Sequence, residues 1–181
     1  IYRLIGKMRL KNPKNFKYSI IQNRINKLSL KDLKNKSLLT DKVATSASII
    51  AKDKKIRNIV LKFQKKCAYS PPKKYNGSVL DGRDITSVIL KNAMFKFFIN
   101  ASIKTRARRR FREFQIIGKK ITYKEVLKSL KKRDKSDRTR KYGPLKKTKD
   151  SILINNEKLG IKQSFLKIKK IMDRKLKNAN L

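Results

Sequence analysis

The sequence predicts an α/β domain in which a parallel sheet is wrapped by helices. Three observations predict it. Apolar runs of strand length alternate with amphipathic stretches of ten or more residues, the order expected of parallel strands joined by helical crossovers. One short apolar run, Gly77-Ser78-Val79-Leu80, stops abruptly at Asp81-Gly82-Arg83-Asp84-Ile85. Open α/β sheets bind ligands where the chain leaves the carboxyl end of a strand. Finally, 181 residues suffice for one domain with a real core.

The elements follow in order. Residues 1–10 (IYRLIGKMRL) read as part of an amphipathic helix, with Ile1, Leu4 and Met8 on one side. Because the chain opens on Ile1 inside that helix, an N-terminal segment is expected to be missing. Asn12-Pro13 breaks the pattern. From Phe16 to about Leu38, short apolar patches alternate with Asn and Lys, as in a small insertion rather than a full core element. Thr40-Asp41 caps a helix carrying Val43, Ala47 and Ile50, with Asp41 at its positive end. Ile56, Ile59, Val60 and Phe63 define a second helix that ends before Pro71-Pro72.

The strand before Asp81 comes next, then a loop and a second strand, Phe95–Asn100. A helix through Arg106–Phe114 buries Ala107, Phe111 and Phe114, and another from about Tyr123 to Arg138 buries Val126, Leu127 and Leu130. Ser151–Ile154 is the third strand. Gly160 precedes a last helix carrying Ile161, Phe165, Ile168, Met172 and Leu176.

Composition bounds the function. Lys and Arg number 52 against 12 acids, a net charge of +40. Such a charge favours polyanions and says nothing about fold. It fits a nucleic-acid binder held by phosphate contacts. It fits equally a lysine-rich solvated surface, since the lysines are spread over nearly every segment. The single cysteine, Cys67, excludes an internal disulfide and suits a reducing cytoplasm. Histidine is absent, which excludes Ser-His and Cys-His nucleophile pairs and argues against a zinc site, so no metal ligands are assigned. No apolar run reaches the length of a membrane span, and no signal peptide is visible at the start.

Three constellations could carry chemistry. At Asp81-Gly82-Arg83-Asp84, a planar guanidinium suited to phosphate stands beside a carboxylate acceptor, unless these are a plain turn and a surface ion pair. In Arg133-Asp134-Lys135-Ser136-Asp137-Arg138-Thr139-Arg140, the residues Arg133, Asp137 and Arg140 share one polar helix face, which a salt-bridged exposed helix explains equally well. The stripe Lys104-Thr105-Arg106-Ala107-Arg108-Arg109-Arg110 could track nucleic acid, clamp a triphosphate or lie in solvent. Gly77 and Gly82 have the spacing of a phosphate-binding loop, but Arg83-Asp84 follows where Lys-Ser/Thr is required, so residues 1–181 contain no Walker A motif.

Together these stretches resemble bacterial cytidylate kinase, a P-loop nucleoside monophosphate kinase. The resemblance rests on Asp81-Gly82-Arg83-Asp84-Ile85, on Lys96–Ser102 leading into Arg106-Ala107-Arg108-Arg109, on Lys132–Arg140 and on Pro144-Leu145. It is strong from Gly77 to Ile154 and weak from Pro13 to Leu38. It implies a P-loop NTPase-like, three-layer αβα fold lacking its first strand and P-loop. Residues 1–181 would form a single partial kinase domain, with 11–40 a shortened monophosphate-binding insertion and 103–141 the lid region. Phosphoryl transfer from ATP, with Mg²⁺, to CMP or dCMP is the implied activity.

By the same resemblance, Arg3, Arg83 and Arg140 hold the CMP phosphate. Ser48, Arg57 and Asp84 read cytosine, and Arg133 and Asp137 bind the sugar. Arg109, in the lid, and Arg140 act catalytically by stabilising charge on the transferring group. Thr86 departs from the glycine usual after this motif, and Leu39 stands where an arginine is common. Without a P-loop, residues 1–181 are expected to be inactive, as a cytoplasmic monomer attracting nucleic acid only through non-specific charge. The alternatives are a basic nucleic-acid-binding protein of ribosomal type and a non-catalytic kinase remnant.

Overall fold

Local hydrogen bonding explains most helix starts. In the computed structural model, which describes residues 1–29, 32 and 35–178, α3 (Asp41–Ile50) begins where Thr40 Oγ1 accepts the amide of Val43 at 3.3 Å. In the same way the Asp53 carboxylate accepts the amide of Ile56 at 3.0 Å and starts α4 (Lys54–Tyr69). Caps of this kind contribute about 1 kcal/mol each by satisfying amides that have no intrahelical partner. Proline follows the end of α4 at Pro71-Pro72, where the helix cannot continue.

The chain divides into two compact units, Ile1–Lys91 with Arg133–Lys146, and Asn92–Lys132 with Lys147–Leu181. The first unit holds α1 (Tyr2–Lys11), α2 (Tyr18–Asn26), α3 and α4, with a 3₁₀ turn at Lys36–Leu39 and a π turn at Ile85–Ile89. Its core joins Ile5, Ile21, Ile25, Ile50, Ile56 and Val60. Ile21 and Ile25 come from the stretch whose pattern argues against a full core element, and there the expectation is corrected. The nine residues of α2 show only these two apolar positions to the core, too few to stand out as a periodic pattern. Leu30, Lys31, Leu33 and Lys34 of that expected insertion lie outside the described residues.

A second correction concerns residues 77–80, which are not a strand. Val79 is 97% exposed, and Ser78 Oγ donates to the Ala68 carbonyl at 3.1 Å instead. An extended segment becomes a strand only when a neighbour takes up its backbone groups, and among the described residues none lies beside it.

In the second unit, β1 (Phe97–Asn100) and β2 (Ile152–Asn155) pair in parallel, Phe97 opposite Ile152 and Asn100 opposite Asn155. The ladder is extended by Ile152 N–H to the Lys96 carbonyl and by Asn156 N–H to the Asn100 carbonyl. The parallel pairing joined through helices is the predicted α/β class. Between the strands run α5 (Ile103–Ile116) and the first part of α6 (Tyr123–Thr139), packed through Ala107, Phe114 and Val126 with Phe111, Tyr123, Leu127 and Leu130 around them. Phe111 and Tyr123 meet edge to face at 6.2 Å, a favourable aromatic geometry. A capping box of Thr122 and Glu125 starts α6. The last helix, α7 (Ile161–Asn178), forms as expected, but its stripe is uncovered at its start, with Ile161 94% and Phe165 63% exposed, while Ile168, Met172 and Leu176 are half-buried.

Candidate nucleotide-binding site

The first unit gathers the charged residues singled out in the sequence, and the local structure explains how. After Asp81-Gly82-Arg83 the chain enters the π turn, where the Asp84 carbonyl accepts the amides of Val88 at 2.9 Å and Ile89 at 3.2 Å. Ile85 and Ile89 are buried as a result, which fixes Asp84 and Arg83 at the turn's entrance. From the other side, the last turns of α6 present Arg133, Asp137 and, just beyond the helix, Arg140. The Asp137 carbonyl accepts the Leu145 amide at 2.7 Å, folding the following loop back over this end.

Two carboxylates are buried among guanidinium groups. Asp84, 4% exposed, is paired with Arg57 and lies 3.7 Å from Arg140 Nη2. Asp137, 6% exposed, accepts from Arg83 Nε at 3.0 Å and lies 3.5 Å from Arg140 Nη1. Arg140 thus bridges the two acids. Burial lowers its pKa, and Asp137 and Asp84 oppose that effect. Burial lowers the pKa of Arg133 as well, with repulsion from Arg83 in the same direction. The Nε of Arg133 is buried with no hydrogen-bond partner among the described residues. An unsatisfied buried donor is costly, so this atom is suited to an incoming acceptor.

A cleft of about 1260 Å³ opens over this cluster, lined by Arg3, Ser48, Arg83, Asp84, Arg133, Asp137 and Arg140. Arg3 is tied to the Leu38 carbonyl at 2.9 Å, and Ser48 Oγ lies 3.3 Å from Ser136 Oγ. Arg57 is not among the lining residues. It stands behind Asp84, with Nη1 on the Ala51 carbonyl at 3.3 Å. All the sequence-predicted monophosphate residues therefore fall within one unit.

Arg109 belongs to the other unit. Its Nη2 donates to the carbonyls of Asn156 at 2.7 Å, Leu159 at 3.1 Å and Glu157 at 3.3 Å. The Glu157 carboxylate accepts from the Ser102 amide at 2.5 Å, from Ser102 Oγ at 2.7 Å and from Thr105 Oγ1. These bonds, first that of Thr105, hold its pKa down at about 2. Elsewhere in the stripe, Arg106 Nε donates to the Ala101 carbonyl at 3.1 Å and Arg110 pairs with Glu113 at 2.7 Å.

Tyr2 and Gly143 also belong to the site, and sequence reasoning missed both. Tyr2 lines the cleft, and its pKa is raised by burial, with Arg57, Asp84 and Arg140 close enough to act on it. The Gly143 carbonyl accepts from Arg140 Nε at 2.7 Å. The order Arg140-Lys141-Tyr142-Gly143-Pro144 carries a turn signal at Gly143-Pro144. Among the described residues no group of three or more His, Cys, Asp or Glu side chains gathers as a metal site. No helix among them is long and apolar enough to cross a membrane.

The family model described as cytidylate kinase matches residues 8–174. A cytidylate kinase of Clostridium botulinum is 40% identical over 132 residues, covering 73% of this chain and 58% of that protein. One from Bartonella bacilliformis is 38% identical over 139 residues, covering 77% and 63%. One from Ureaplasma urealyticum is 38% identical over 142 residues, covering 78% and 61%. The aligned part is thus about 58–63% of these relatives' length. The chain belongs to the cytidylate kinase family.

Proposed function

We propose that this chain provides the monophosphate-binding part of an enzyme that transfers the terminal phosphoryl group of ATP to CMP or dCMP, giving ADP and CDP or dCDP. The observation that carries the reading is the single cleft in which Arg83, Asp84, Arg133, Asp137 and Arg140 converge with Arg3 and Ser48. Two buried carboxylates among five arginines, Arg57 included, leave an excess of positive charge suited to a phosphate monoester. Arg3, Arg83 and Arg140 take the phosphate, and Arg133 and Asp137 take the sugar hydroxyls. Asp84 accepts from the exocyclic amine of cytosine. Ser48 serves its O2/N3 edge, and Arg57 takes part in reading the base by holding the Asp84 carboxylate from behind.

Arg109 is the proposed lid arginine. To act on ATP it would exchange its three carbonyl partners for phosphate oxygens, a stronger, charge-assisted interaction. The residues here do not fit Mg²⁺, because Asp84 and Asp137 are both already taken up by arginines and no acidic cluster accompanies them among the described residues. No step is therefore assigned to the ion in this part of the enzyme. A cytoplasmic monomer is the setting we propose, in keeping with the lone Cys67.

Titration calorimetry of CMP, UMP and AMP tests the reading, because the three carry the same phosphate charge. CMP should bind at least about tenfold more tightly, since a wrong base leaves polar groups unpaired at about 1–3 kcal/mol each. The preference should persist as salt is raised, whereas attraction by the net charge of +40 fades. Equal affinities that vanish with salt would overturn the CMP reading in favour of a non-specific polyanion binder. A polypeptide of residues 1–181, which has no Walker A sequence, should bind CMP without forming CDP from ATP.

A further inference from the structure

Gly143 touches three of the side chains assigned above without being assigned a role itself. Its φ is +55°, in the left-handed region that side chains other than glycine seldom adopt. A Cβ built on it would overlap Arg57 Nη2 and Asp84 Oδ2 and would lie 2.9 Å from Arg57 Cζ. Its carbonyl receives Arg140 Nε at 2.7 Å. The atoms that a methyl group would displace are tips of flexible side chains and not backbone. The fold could absorb the change. The Arg57–Asp84 pair could not, because Asp84 is also held toward Arg140 at 3.7 Å.

Gly118 provides the contrast. It has φ of +68°, yet a Cβ there would meet nothing within 4 Å. Both glycines have positive φ, but only Gly143 has side chains lying over its Cα.

We propose that Gly143 is a positioning residue that sets base specificity, its bare Cα forming the wall against which the Arg57–Asp84 pair is seated. The inference rests on the CMP reading for the identity of the base, but the seating of the pair can be measured without any nucleotide. A side chain at position 143 pushes the Asp84 carboxylate out of register with the base edge while leaving the phosphate-holding Arg3 and Arg83 in place. Discrimination among bases should then fall further than affinity for the common phosphate.

The test compares Gly143→Ala, Gly143→Asn and Gly118→Ala with the unmodified chain. Asparagine tolerates positive φ, so Gly143→Asn separates the crowding from backbone strain. By calorimetry both Gly143 variants should lose at least tenfold in CMP affinity, with the CMP-to-UMP ratio falling toward one. Gly118→Ala should keep both values. In ¹⁵N NMR of arginine side chains, the restrained Nη signals of Arg57, assigned through Arg57→Lys, should become averaged in both Gly143 variants and stay unchanged in Gly118→Ala. If the unmodified chain prefers CMP and the Gly143 variants keep that preference, the positioning role is overturned and the CMP reading stands. If the unmodified chain shows no preference, the CMP reading and the specificity role both fail. Unchanged Arg57 signals in the Gly143 variants would overturn the seating itself.

Discussion

Replacing Asp137 with alanine removes the carboxylate that faces most of the arginine cluster. In the structure it is 6% exposed, accepts from Arg83 at 3.0 Å and lies 3.5 Å from Arg140, with Arg133 nearby. Deleting one member of a buried ion pair costs about 3–5 kcal/mol, because the partner stays buried without compensation. Here two features lower the figure. Arg140 keeps Asp84 at 3.7 Å, and the Arg83 side chain is 37% exposed and can turn to water. The loss should therefore sit at the low end, about 3 kcal/mol.

With a urea dependence of about 1–3 kcal/mol per molar, the unfolding midpoint should fall by roughly 1–3 M. An anion that settles among the unpaired arginines should recover part of this. Inorganic phosphate at one hundred times its dissociation constant contributes about 2.7 kcal/mol by mass action, and its effect should be larger for the variant than for the unmodified chain. Circular dichroism against urea, with and without phosphate, measures both. An unchanged midpoint would refute the reasoning and return Asp137 to the status of a surface salt bridge.

Two other perturbations bear on the core and on pH. Ile21→Ala should destabilise the first unit by about 2–5 kcal/mol, as expected of a fully buried aliphatic side chain, and a loss under about 0.5 kcal/mol in the same urea titration would make α2 peripheral. The Glu157 pKa is held at about 2 by Thr105 and Ser102, below the usual carboxylate value of 4.5. A depressed carboxylate stabilises the fold above the unfolded value, and that contribution is lost as pH falls. The second unit should therefore weaken between about pH 4.5 and pH 2, and Glu157→Gln should flatten that part of the acid-unfolding curve, whereas an unaltered slope would rule out this role.

Much of the fold was legible because the signals were local. Thr40 before Asp41, Asp53 before Ile56 and the proline pair after α4 announce helix ends through chemistry between neighbours. The candidate site was legible through the family resemblance, because Arg83-Asp84 and Asp137-Arg138 by themselves fit a plain turn and a salt-bridged helix equally well. What escaped depended on distant partners. Residues 77–80 have a strand's composition and no strand beside them among the described residues. Ile21 and Ile25 become core only because α4 meets them with Ile56 and Val60. From sequence, a salt-bridged exposed helix explained Asp137 equally well, and its burial decides against that reading. Gly143 matters through Arg57 and Asp84, which lie far away along the chain.

The way Glu157 closes the start of α5 bears on the order in which the second unit is assembled. The helix receives part of its N-terminal hydrogen bonding from a residue 55 positions later, beyond β2, and Arg109 returns three bonds to the same loop. Parallel strands cannot pair until the chain between them has been laid down and has crossed back. The entropy of closing that loop must be met before ladder and helix end reward it, so local helix formation precedes a slower, concerted docking step. Once docked, strand pairing and helix start are released together, and the barrier to unfolding belongs to the whole unit and not to any one element.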